Sequence, residues 1–404
     1  MLDTARGRRG AILYVASRLP ELSETFVYRE FLGLRCRGRD MIAASVRRPH
    51  DVVNDATLAA LRDEVRVIYE RATLLRLPIA LMRHPRIFIG AVIDAATADH
   101  SGITSRLKHL FQALMGISAA DRLRGRNIGH VHAHMAHVPA TVGLYMARTL
   151  DAGFSFTGHA ADLFVDRSAL AFKLDRAAFV ACISNWHRDF YKQITGIADT
   201  RLPIVRCSVS VPVEALEENQ EIVTVARLVP KKGIDLLLHA FASAKLTGWR
   251  LRILGDGPER PTLEALARDL GVADAVTFEG AQPHSVCLEA IAASGLFALP
   301  CRTAANGDKD GIPVVLMEAM AAQRPVIAGD LPAIRELVEG GKEGLLVPPD
   351  DPAALAEALR RLVADPALRK ALGLAGRFHI QAEFADDINL DRLSGAFDRS
   401  AVTV

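Results

Sequence analysis

The chain has 404 residues, of which half are hydrophobic and 24% are charged, with 49 lysines and arginines against 47 aspartates and glutamates. This length predicts two or three domains, each able to bury its own core, and the composition excludes a disordered, collagen-like or coiled-coil protein. A net charge of +2 is also too small for a general nucleic-acid binder, which needs a clustered basic excess to hold phosphates.

Apolar runs of strand length alternate with helical patterns along most of the chain, which is typical of parallel sheets flanked by helices. In the first half, strands are predicted at 11–16, 65–69, 128–132, 154–157, 179–183 and 204–207. In the second half, strands are predicted at 221–226, 250–254, 276–278, 296–299, 326–328 and 344–347, with helices at 234–244, 261–270, 312–322 and 353–363. The first run is too short for a signal peptide, and we predict no transmembrane segment.

The segment 71–126 interrupts this alternation. It is helical in pattern and mixes apolar residues such as Leu75 and Met82 with cations such as Arg76 and Arg86. A basic amphipathic segment is suited to an anionic membrane surface. The alternative is that its apolar residues cover the first sheet.

The boundary between two α/β domains is predicted at 208–220, which contains Pro212, an acidic cluster and no long apolar run. The predicted domains are 1–207 and 221–383. The five cysteines are widely spaced without a C-x-x-C motif, which indicates reduced core residues in a cytoplasmic protein; they are Cys36, Cys182, Cys207, Cys287 and Cys301.

Two cations follow the predicted strand 221–226. Arg227 and Lys232 lie in a strand-to-helix loop, and such loops form the carboxyl edge of an open parallel sheet, where ligands bind. Beside a helix N-terminus, each cation can donate a charge-assisted hydrogen bond of about 1.5–3 kcal/mol, which would hold a diphosphate without a metal. The alternative is a solvated charged loop.

Two carboxylates flank the start of the predicted helix 312–322. Asp310 lies in the loop before it, and Glu318 lies about one and a half turns inside it. Gly311 permits the close approach of a ligand, and Pro313 suits the first helical turn. We expect the carboxylates to bind hydroxyls of an extended ligand whose phosphates face the helix N-terminus.

The same loop partly matches a calcium-binding motif. Asn306, Asp308, Asp310 and Gly311 occupy the first, third, fifth and sixth positions, but Met317 stands at the twelfth, where the motif needs glutamate. We therefore predict no calcium site.

Histidines cluster at 130, 132, 134 and 137, the first three on one strand face. They could form a metal site, but no acidic residue accompanies them within the run, so we expect one to pack in the core and one to reach a cleft. His159 ends the next strand, with Asp162 three residues later, and is suited either to ligand contact or to capping a helix. We predict no metal.

Taken together, these residues resemble the group 1 family of retaining glycosyltransferases with the GT-B architecture, in which two Rossmann-like, doubly wound parallel-sheet domains face a central cleft. The resemblance covers nearly the whole chain; its motifs are 19–26, 132–134, 156–162, 182–185, 227 with 231–233, 255–258 and 310–320. Leu-Ser-Glu-Thr-Phe at 22–26 and Phe-Thr-Gly-His-Ala at 156–160 look most like members that build bacterial exopolysaccharide or other cell-surface glycans.

The resemblance implies site roles. The family's two glutamates map onto Asp310 and Glu318, and Asp310 is one methylene shorter than the usual residue, which bears on the choice of donor sugar. Glu318 would hold the donor's ribose, Arg227 and Lys232 its diphosphate, and His159 would lie beside the sugar and the acceptor. The implied catalytic set is His159, Arg227, Lys232 and Asp310; the donor-binding set is Arg227, Lys232, Asp310, Gly311, Ile312, Pro313, Val314 and Glu318; His134 and Asp162 are weaker acceptor-side candidates.

The resemblance also implies a reaction: a retaining, metal-independent transfer of a hexose from a nucleotide-diphosphate sugar to a glycan, expected to be lipid-linked, in polysaccharide biosynthesis. No cofactor is expected. The location would be cytoplasmic, and a peripheral position on the inner face of the plasma membrane stays open. The segment 1–207 would bind the acceptor and 221–383 the donor, with a helix at 384–404 that crosses back to the first domain. A nucleotide-sugar epimerase of GT-B fold and a catalytically silent sugar-nucleotide-binding or scaffold protein stay open as alternatives.

Overall fold

The computed structural model describes residues 10–21, 24–49, 56–159, 167–211 and 217–401. Its contacts divide the chain into two compact units, unit 1 formed by Met1–Arg206 with Leu390–Val404 and unit 2 formed by Cys207–Asn389. Each unit contains one six-stranded sheet in which all strand pairs are parallel.

The sheet of unit 1 has the strand order β3-β2-β1-β4-β5-β6, the order of a Rossmann-like domain. Its strands are β1 Ala11–Ala16, β2 Met41–Ser45, β3 Arg66–Val67, β4 Ile128–His134, β5 Gly153–Gly158 and β6 Phe179–Cys182. Its helices, up to the boundary, are α1 Thr25–Cys36, α2 Ala56–Glu64, α3 Arg71–Arg83, α4 Pro85–Thr97, α5 Ile103–Asp121, α6 Val138–Leu150, α7 Leu170–Arg176 and α8 Asn185–Thr195. All six residues of β1 are buried because both of its faces are covered.

The sheet of unit 2 has the order β12-β11-β10-β7-β8-β9. Its strands are β7 Glu221–Val225, β8 Arg250–Leu254, β9 Val276–Gly280, β10 Leu296–Leu299, β11 Val326–Gly329 and β12 Leu345–Val347. Its helices are α9 Ile234–Ala244, α10 Arg260–Asp269, α11 His284–Ala293, α12 Val314–Ala321, α13 Pro352–Ala364 and α14 Pro366–His379. The last helix of the chain, α15 Asp386–Ser400, packs its Leu390 and Leu393 in the core of unit 1 with Leu34.

The six strands predicted in the second half are confirmed, but the first half differs at three places. The strand β2 was not predicted, because Ala43-Ala44-Ser45 has little intrinsic strand preference and the segment becomes a strand by pairing with β1. The predicted strand 65–69 is reduced to two residues. The prediction at 204–207 is wrong, since Ile204 alone forms a bridge, with Cys182 at the end of β6.

The helices α3, α4 and α5 form a layer that packs through small side chains. Ala80, Ala91 and Ala113 are fully buried where these helices meet. The Asp121 carboxylate, buried at the end of α5, accepts hydrogen bonds from Arg76 Nε at 2.8 Å and Arg83 Nη1 at 3.1 Å. Burial alone would raise the pKa of Asp121, but these arginines and His84 lower it below its ordinary value, so the carboxylate is charged and anchors the layer.

The outer faces of this layer carry exposed apolar side chains. Leu75, Met82 and Ile103 are 80%, 75% and 70% exposed. The others that are largely exposed are Leu74, Ile79, Ile89, Val92, Ile93, Leu107 and Phe111. These residues therefore do not cover the sheet, whereas Met115 of the same segment is buried in the core beside the sheet, so the covering interpretation of 71–126 holds for part of the segment. Among the described residues, no helix is long and apolar enough to cross a membrane.

Candidate functional site

The two sheets place the predicted motifs at equivalent positions. In each sheet the chain order reverses between two neighbouring strands, β1 and β4 in unit 1 and β7 and β10 in unit 2. Ligands of open α/β sheets bind outside the carboxyl ends of the strands at such a point. Arg227 and Lys232 follow β7, Asp310 follows β10, and His134 ends β4, so four predicted residues lie at these two edges.

In unit 2, two lysines from the loop after β7 meet two aspartates from the loop after β10. Lys232 Nζ lies 2.7 Å from Oδ2 of Asp310, and Lys231 Nζ lies 3.1 Å from Oδ2 of Asp308 and 3.4 Å from Oδ1 of Asp310. The structure thus joins the predicted Lys232 and Asp310 directly. Lys231 was not among the predicted site residues, although it is adjacent to Lys232 in the sequence.

The charges of this cluster are mutually stabilised. Burial acts to lower the pKa of Lys232, but the charge of Asp310, its hydrogen bond and the charge of Asp308 outweigh burial and raise the pKa. Burial acts to raise the pKa of Asp310, but Lys232 and Lys231 lower it. Both groups are therefore charged at neutral pH, and the cluster keeps a cationic and an anionic group side by side at the sheet edge.

Cys301, two residues after the end of β10, is a hydrogen-bond partner of Asp310. Its thiol donates a hydrogen bond to Oδ2 of Asp310 at 3.2 Å, and its side chain is fully buried. Burial and the negative charge of Asp310 raise the pKa of Cys301 well above its ordinary value, so it remains a neutral donor. Asp310 is thereby fixed from two sides, by a thiol and by Lys232.

Arg227 differs from the lysines because it is exposed and makes no ion pair within the part of the chain that the structure describes. Its guanidinium is therefore available to an anion. The loop that carries it must turn tightly: Gly233 has φ of +66°, and a Cβ atom there would lie 2.3 Å from the carbonyl oxygen of Pro300. Only glycine fits at this approach of the β7 and β10 loops.

Glu318 lies on α12, where it is 8% exposed and has a histidine partner. His284 Nε2, at the start of α11, lies 2.8 Å from Oε1 of Glu318. Sequence analysis missed His284, which is 34 residues from Glu318 and belongs to no recognised motif. The predicted start of α12 was also wrong by two residues, because Pro313 is its N-cap with an extended ψ of 124° and the helix begins at Val314. Gly311 and Ile312 precede it in the loop.

The loop before α12, which partly matches a calcium-binding motif, uses its carboxylates in ion pairs. Asp308 and Asp310 are paired with lysines, and Met317, at the position where calcium loops carry glutamate, is fully buried in the core of unit 2. The carboxylates of this loop therefore act as partners of ammonium groups in the structure.

In unit 1, a line of polar side chains connects α1, β1, β4 and the end of β5. The Tyr14 hydroxyl donates to Oε1 of Glu30 at 2.7 Å and lies 2.5 Å from Nδ1 of His134. His134 Nε2 lies 2.8 Å from Nε2 of His159. The Phe26 ring packs against His159 with 4.8 Å between ring centroids. The structure thus joins the two predicted histidines; Asp162 lies outside the described residues.

Glu30 and Tyr14 were missed by sequence analysis. The available signal was helical spacing, since Glu30 lies four residues after Phe26 of the 22–26 motif and so falls on the same face of α1. Gly158, which precedes His159, has no room for a side chain: a Cβ atom there would lie 2.1 Å from the Tyr191 hydroxyl oxygen.

The other strand histidines are buried and hydrogen-bonded. His130 Nε2 and His132 Nδ1 lie 2.7 and 2.8 Å from Oγ of Ser155, and His132 Nε2 lies 3.1 Å from Oγ1 of Thr157. Burial lowers the pKa of His130 to about 4 and that of His132 well below its ordinary value.

The structure adds one acidic residue to the histidine cluster, which the sequence run itself lacks. Ligand atoms of Glu30, His132 and His134 lie within 4.8 Å of one another. Since both ring nitrogens of His132 have hydroxyl partners and His134 and Glu30 share Tyr14, protein hydrogen bonds account for this grouping.

Comparison with curated proteins supports the resemblance. A mannosyltransferase of Mycobacterium tuberculosis, described as GDP-mannose-dependent alpha-(1-6)-phosphatidylinositol monomannoside mannosyltransferase, is 39% identical over 175 residues, 43% of this chain and 46% of that protein. The putative colanic acid biosynthesis glycosyltransferase WcaL of Escherichia coli is 41% identical over 150 residues, 37% of each chain. The chain therefore spans less than half the length of the curated relatives it matches.

Comparison with solved structures extends over both units. The crystal structure of Anabaena HepE in complex with UDP and glucose matches with a TM-score of 0.71 and 17% identity, covering 97% of this chain and all of that chain. This likeness confirms the predicted fold of two Rossmann-like domains. Residues 211–378 also match the model of the family described as glycosyl transferases group 1. The predicted resemblance is thus confirmed, and this chain carries a group 1 glycosyl transferase domain within a GT-B fold.

Proposed function

We propose that this protein is a retaining glycosyltransferase that moves a hexose from a nucleotide-diphosphate sugar to a glycan acceptor in polysaccharide biosynthesis. The observation that carries the proposal is the loop pair of unit 2, where exposed Arg227 and the Lys232–Asp310 pair lie at the switch point of the sheet. The names of the two relatives describe glycosyl transfer, and the HepE structure holds UDP and glucose, which supports a nucleotide-sugar donor.

The proposed chemistry uses these groups as follows. Breaking the bond between sugar and phosphate leaves negative charge on the nucleoside diphosphate, and fixed cations stabilise charge where it develops. Arg227 and Lys232 supply that stabilisation, while Asp310 binds a sugar hydroxyl and Glu318 binds the ribose. Gly311, Ile312, Pro313 and Val314 form the backbone beside the donor. In a front-face route, the leaving phosphate accepts the proton of the acceptor hydroxyl, so retention needs no protein nucleophile.

The donor's negative charge is met by lysine and arginine, so we propose transfer without a divalent metal. A transfer assay with excess EDTA should run at the rate of an untreated control. A rate that falls and returns with Mg²⁺ or Mn²⁺ would contradict this part of the proposal and would point to Asp308 and Asp310 or to the histidines as ligands.

We place the acceptor on unit 1, with His159 beside the sugar and His134 and Asp162 on the acceptor side. The acceptor is proposed to be lipid-linked, because the M. tuberculosis relative is named for a phosphatidylinositol glycolipid and the outer layer of α3–α5 has the composition of a lipid-binding surface. This layer adds exposed Arg71, Arg86 and Lys108 to its apolar side chains. We accordingly propose that the protein works on the cytoplasmic face of the plasma membrane, on anionic lipid.

A ligand screen followed by a product assay tests the function. A nucleotide sugar at 100 times its Kd should stabilise the protein by about 2.7 kcal/mol, visible as a thermal shift. The sugar that stabilises should then appear in a glycosylated acceptor. Binding with no product in the presence of acceptor lipid extracts would favour a silent sugar-nucleotide-binding protein, and conversion of the donor sugar without acceptor would favour the epimerase alternative.

A further inference from the structure

The connection between β10 and α12, which carries Asp310, contains neither a helix nor a strand. It spans residues 300–313, and we call it the β10 loop; the shorter connection 226–233, which carries Arg227 and Lys232, is the β7 loop. A chain segment as long as the β10 loop has many conformations, and ordering it costs entropy unless contacts hold it. The position of Asp310 therefore depends on what attaches the β10 loop to the rest of unit 2.

Arg302, near the start of the β10 loop, contacts the β7 loop, α9 and the chain before α13. Its backbone N–H donates to the carbonyl oxygen of Lys231 and its Nε donates to that of Pro230, both at 2.9 Å. Its Nη2 lies 3.0 Å from both carboxylate oxygens of Asp235, and its Nη1 lies 3.2 Å from Oδ1 of Asp350. Arg302 thus joins the β10 loop to both the loop and the helix that follow β7.

The contacts of Arg302 differ in strength. The side chains of Arg302 and Asp235 are 19% and 33% exposed, whereas that of Asp350 is 62% exposed. Exposed ion pairs contribute little to stability, and charge-assisted hydrogen bonds to less exposed groups are stronger. The contacts to Asp235 and to the two carbonyl oxygens therefore make most of the attachment. A lysine would not reproduce them all, because its ammonium lacks the planar fork of donors.

The β7 loop is also held from the side of β8. The backbone N–H of Leu228 donates to the carbonyl oxygen of Asp256 at 2.9 Å, and the carbonyl oxygen of Leu228 accepts from the N–H of Glu259 at 3.2 Å. Without Arg302, the long β10 loop rather than the β7 loop would therefore lose its position, and Asp310 would move with it.

The ion pairs between the lysines of the β7 loop and the aspartates of the β10 loop also join the two loops. Under the proposed function, however, Lys232 binds the donor's diphosphate and Asp310 binds its sugar. Their ion pair is then exchanged for contacts to the donor, so it does not hold the loops together while the donor is bound. The contacts of Arg302 involve neither group and are compatible with both states.

We propose that Arg302 is a positioning residue that keeps the β10 loop on the β7 loop while Lys232 and Asp310 exchange their ion pair for contacts to the donor. This inference rests on the proposed function, in which the diphosphate is bound from the β7 loop and the sugar from the β10 loop. Its consequence is selective: loss of Arg302 should weaken recognition of the sugar much more than recognition of the diphosphate.

Hydrogen exchange followed by mass spectrometry tests the attachment without any ligand. Ala304, Gly307 and Asp308 donate their backbone N–H groups to hydrogen bonds within the β10 loop, so the exchange of these amides reports how well the loop is ordered. In Arg302→Met, the side chain is of similar length but has no donor. We expect the amides of the β10 loop to exchange roughly tenfold faster in this variant, the effect of one lost hydrogen bond to a charged group.

The matched control is Arg252→Met. Arg252 is a partly buried arginine of β8 that pairs with Glu221 and Glu279, so this variant also loses ion pairs in unit 2, but the exchange of the β10 loop should stay as in the wild type. If Arg302→Met does not fold, Arg302→Lys takes its place, because lysine keeps the charge without the fork of donors. Unchanged exchange of the β10 loop in the folded Arg302 variant would overturn the proposal.

Binding titrations measure the selective effect, which a general loss of stability would not produce. The probes are UDP with UDP-glucose and GDP with GDP-mannose, and the pair that binds the wild type is used. Arg302→Met should weaken binding of the nucleotide sugar roughly tenfold and binding of the nucleoside diphosphate by no more than about twofold, because only the first uses the β10 loop. An equal loss for both ligands would overturn the proposal.

The two experiments separate this inference from the proposed function. If no nucleotide sugar binds the wild type but the exchange of the β10 loop responds to Arg302→Met, the proposed function fails and the attachment by Arg302 stands. If a nucleotide sugar binds and is transferred, but Arg302→Met changes neither the exchange nor the relative affinity for sugar and diphosphate, the inference fails and the function stands.

Discussion

His284, the first residue of α11, forms a hydrogen-bonded pair with Glu318 in the interior of α12, with 2.8 Å between Nε2 and Oε1. The pair fixes the carboxylate that we assign to the donor's ribose. In His284→Ala, Glu318 loses this partner, and we expect the KM for the nucleotide sugar to rise about tenfold with little change in kcat. The control is His239→Ala, which removes an exposed histidine of α9. An unaltered donor KM in His284→Ala would show that Glu318 needs no such support.

Alanine substitutions of Arg227 and Lys232, the two cations of the loop after β7, should have similar effects on turnover but different effects on stability. Arg227→Ala and Lys232→Ala should each slow turnover by roughly 100-fold at saturating donor, because their charges meet the departing diphosphate. Only Lys232→Ala should also lower the melting temperature, since it breaks an ion pair with Asp310, whereas Arg227 has none among the described residues. Arg268→Ala, an exposed arginine on α10, is the control. Near wild-type turnover in both loop variants would refute the diphosphate assignment.

Acid should unfold the protein through its buried histidines. Burial lowers the pKa of His109 and of His130 to about 4. Between pH 6.5 and 4, these histidines bind protons in the unfolded chain but stay neutral in the folded one. Stability is therefore complete above pH 6.5 and falls by about 1.4 kcal/mol per pH unit for each histidine. Urea unfolding at pH 7.5, 6.0 and 5.0 measures this slope, which should be shallower in His109→Gln and unchanged in His239→Gln; an identical slope in both variants would refute it.

The outer layer of α3–α5 should bind anionic vesicles. Each Lys or Arg near such a surface contributes about 1 kcal/mol, and binding should weaken as salt rises. Co-sedimentation with phosphatidylglycerol vesicles should be reduced by replacing Arg71, Arg86 and Lys108 together with glutamate. Protein that stays in the supernatant at low salt, or that binds neutral vesicles equally well, would contradict the proposal.

The control for this experiment follows from the ion pairs of the layer. Replacement of Arg76 and Arg83 would remove both arginine partners of the buried Asp121 and destabilise the helices themselves. These two positions are therefore left intact, and circular dichroism of the triple variant should match that of the wild type.

The sequence was sufficient to predict that Arg227, Lys232 and Asp310 lie at one sheet edge, because these residues are in loops directly after strands. Arg227, Lys232 and Asp310 each follow an apolar run that was correctly predicted, and the parallel topology brings the ends of such runs to one edge. The approach of Lys232 Nζ to within 2.7 Å of Asp310 Oδ2 follows from that topology. The strands themselves could be predicted because both of their faces are buried, which gives continuous apolar runs in the sequence.

The partners of the site residues were not predictable in the same way. Glu30 meets His134 only because α1 packs over β1 and β4, and His284 meets Glu318 across two helices. Such contacts depend on how helices lie on a sheet, which a single sequence does not specify. The strand β2 illustrates the same limit, since its identity comes from pairing with β1 and its own residues have weak preference.

Within the layer of α3–α5, alanine contacts and the buried Asp121 hold the helices together, and Met115 and Ile117 of α5 pack the layer on the fold, so none of these attachments involves the apolar side chains on its outer faces. Substitution of exposed residues away from such attachments changes stability by no more than about 0.5 kcal/mol. Attachment to the fold and the proposed lipid contact thus use different sides of the same helices. Under that proposal, substitution of one exposed leucine or arginine at a time would change which surface the layer binds, while the sheet beneath and the histidines at its edge stay as they are.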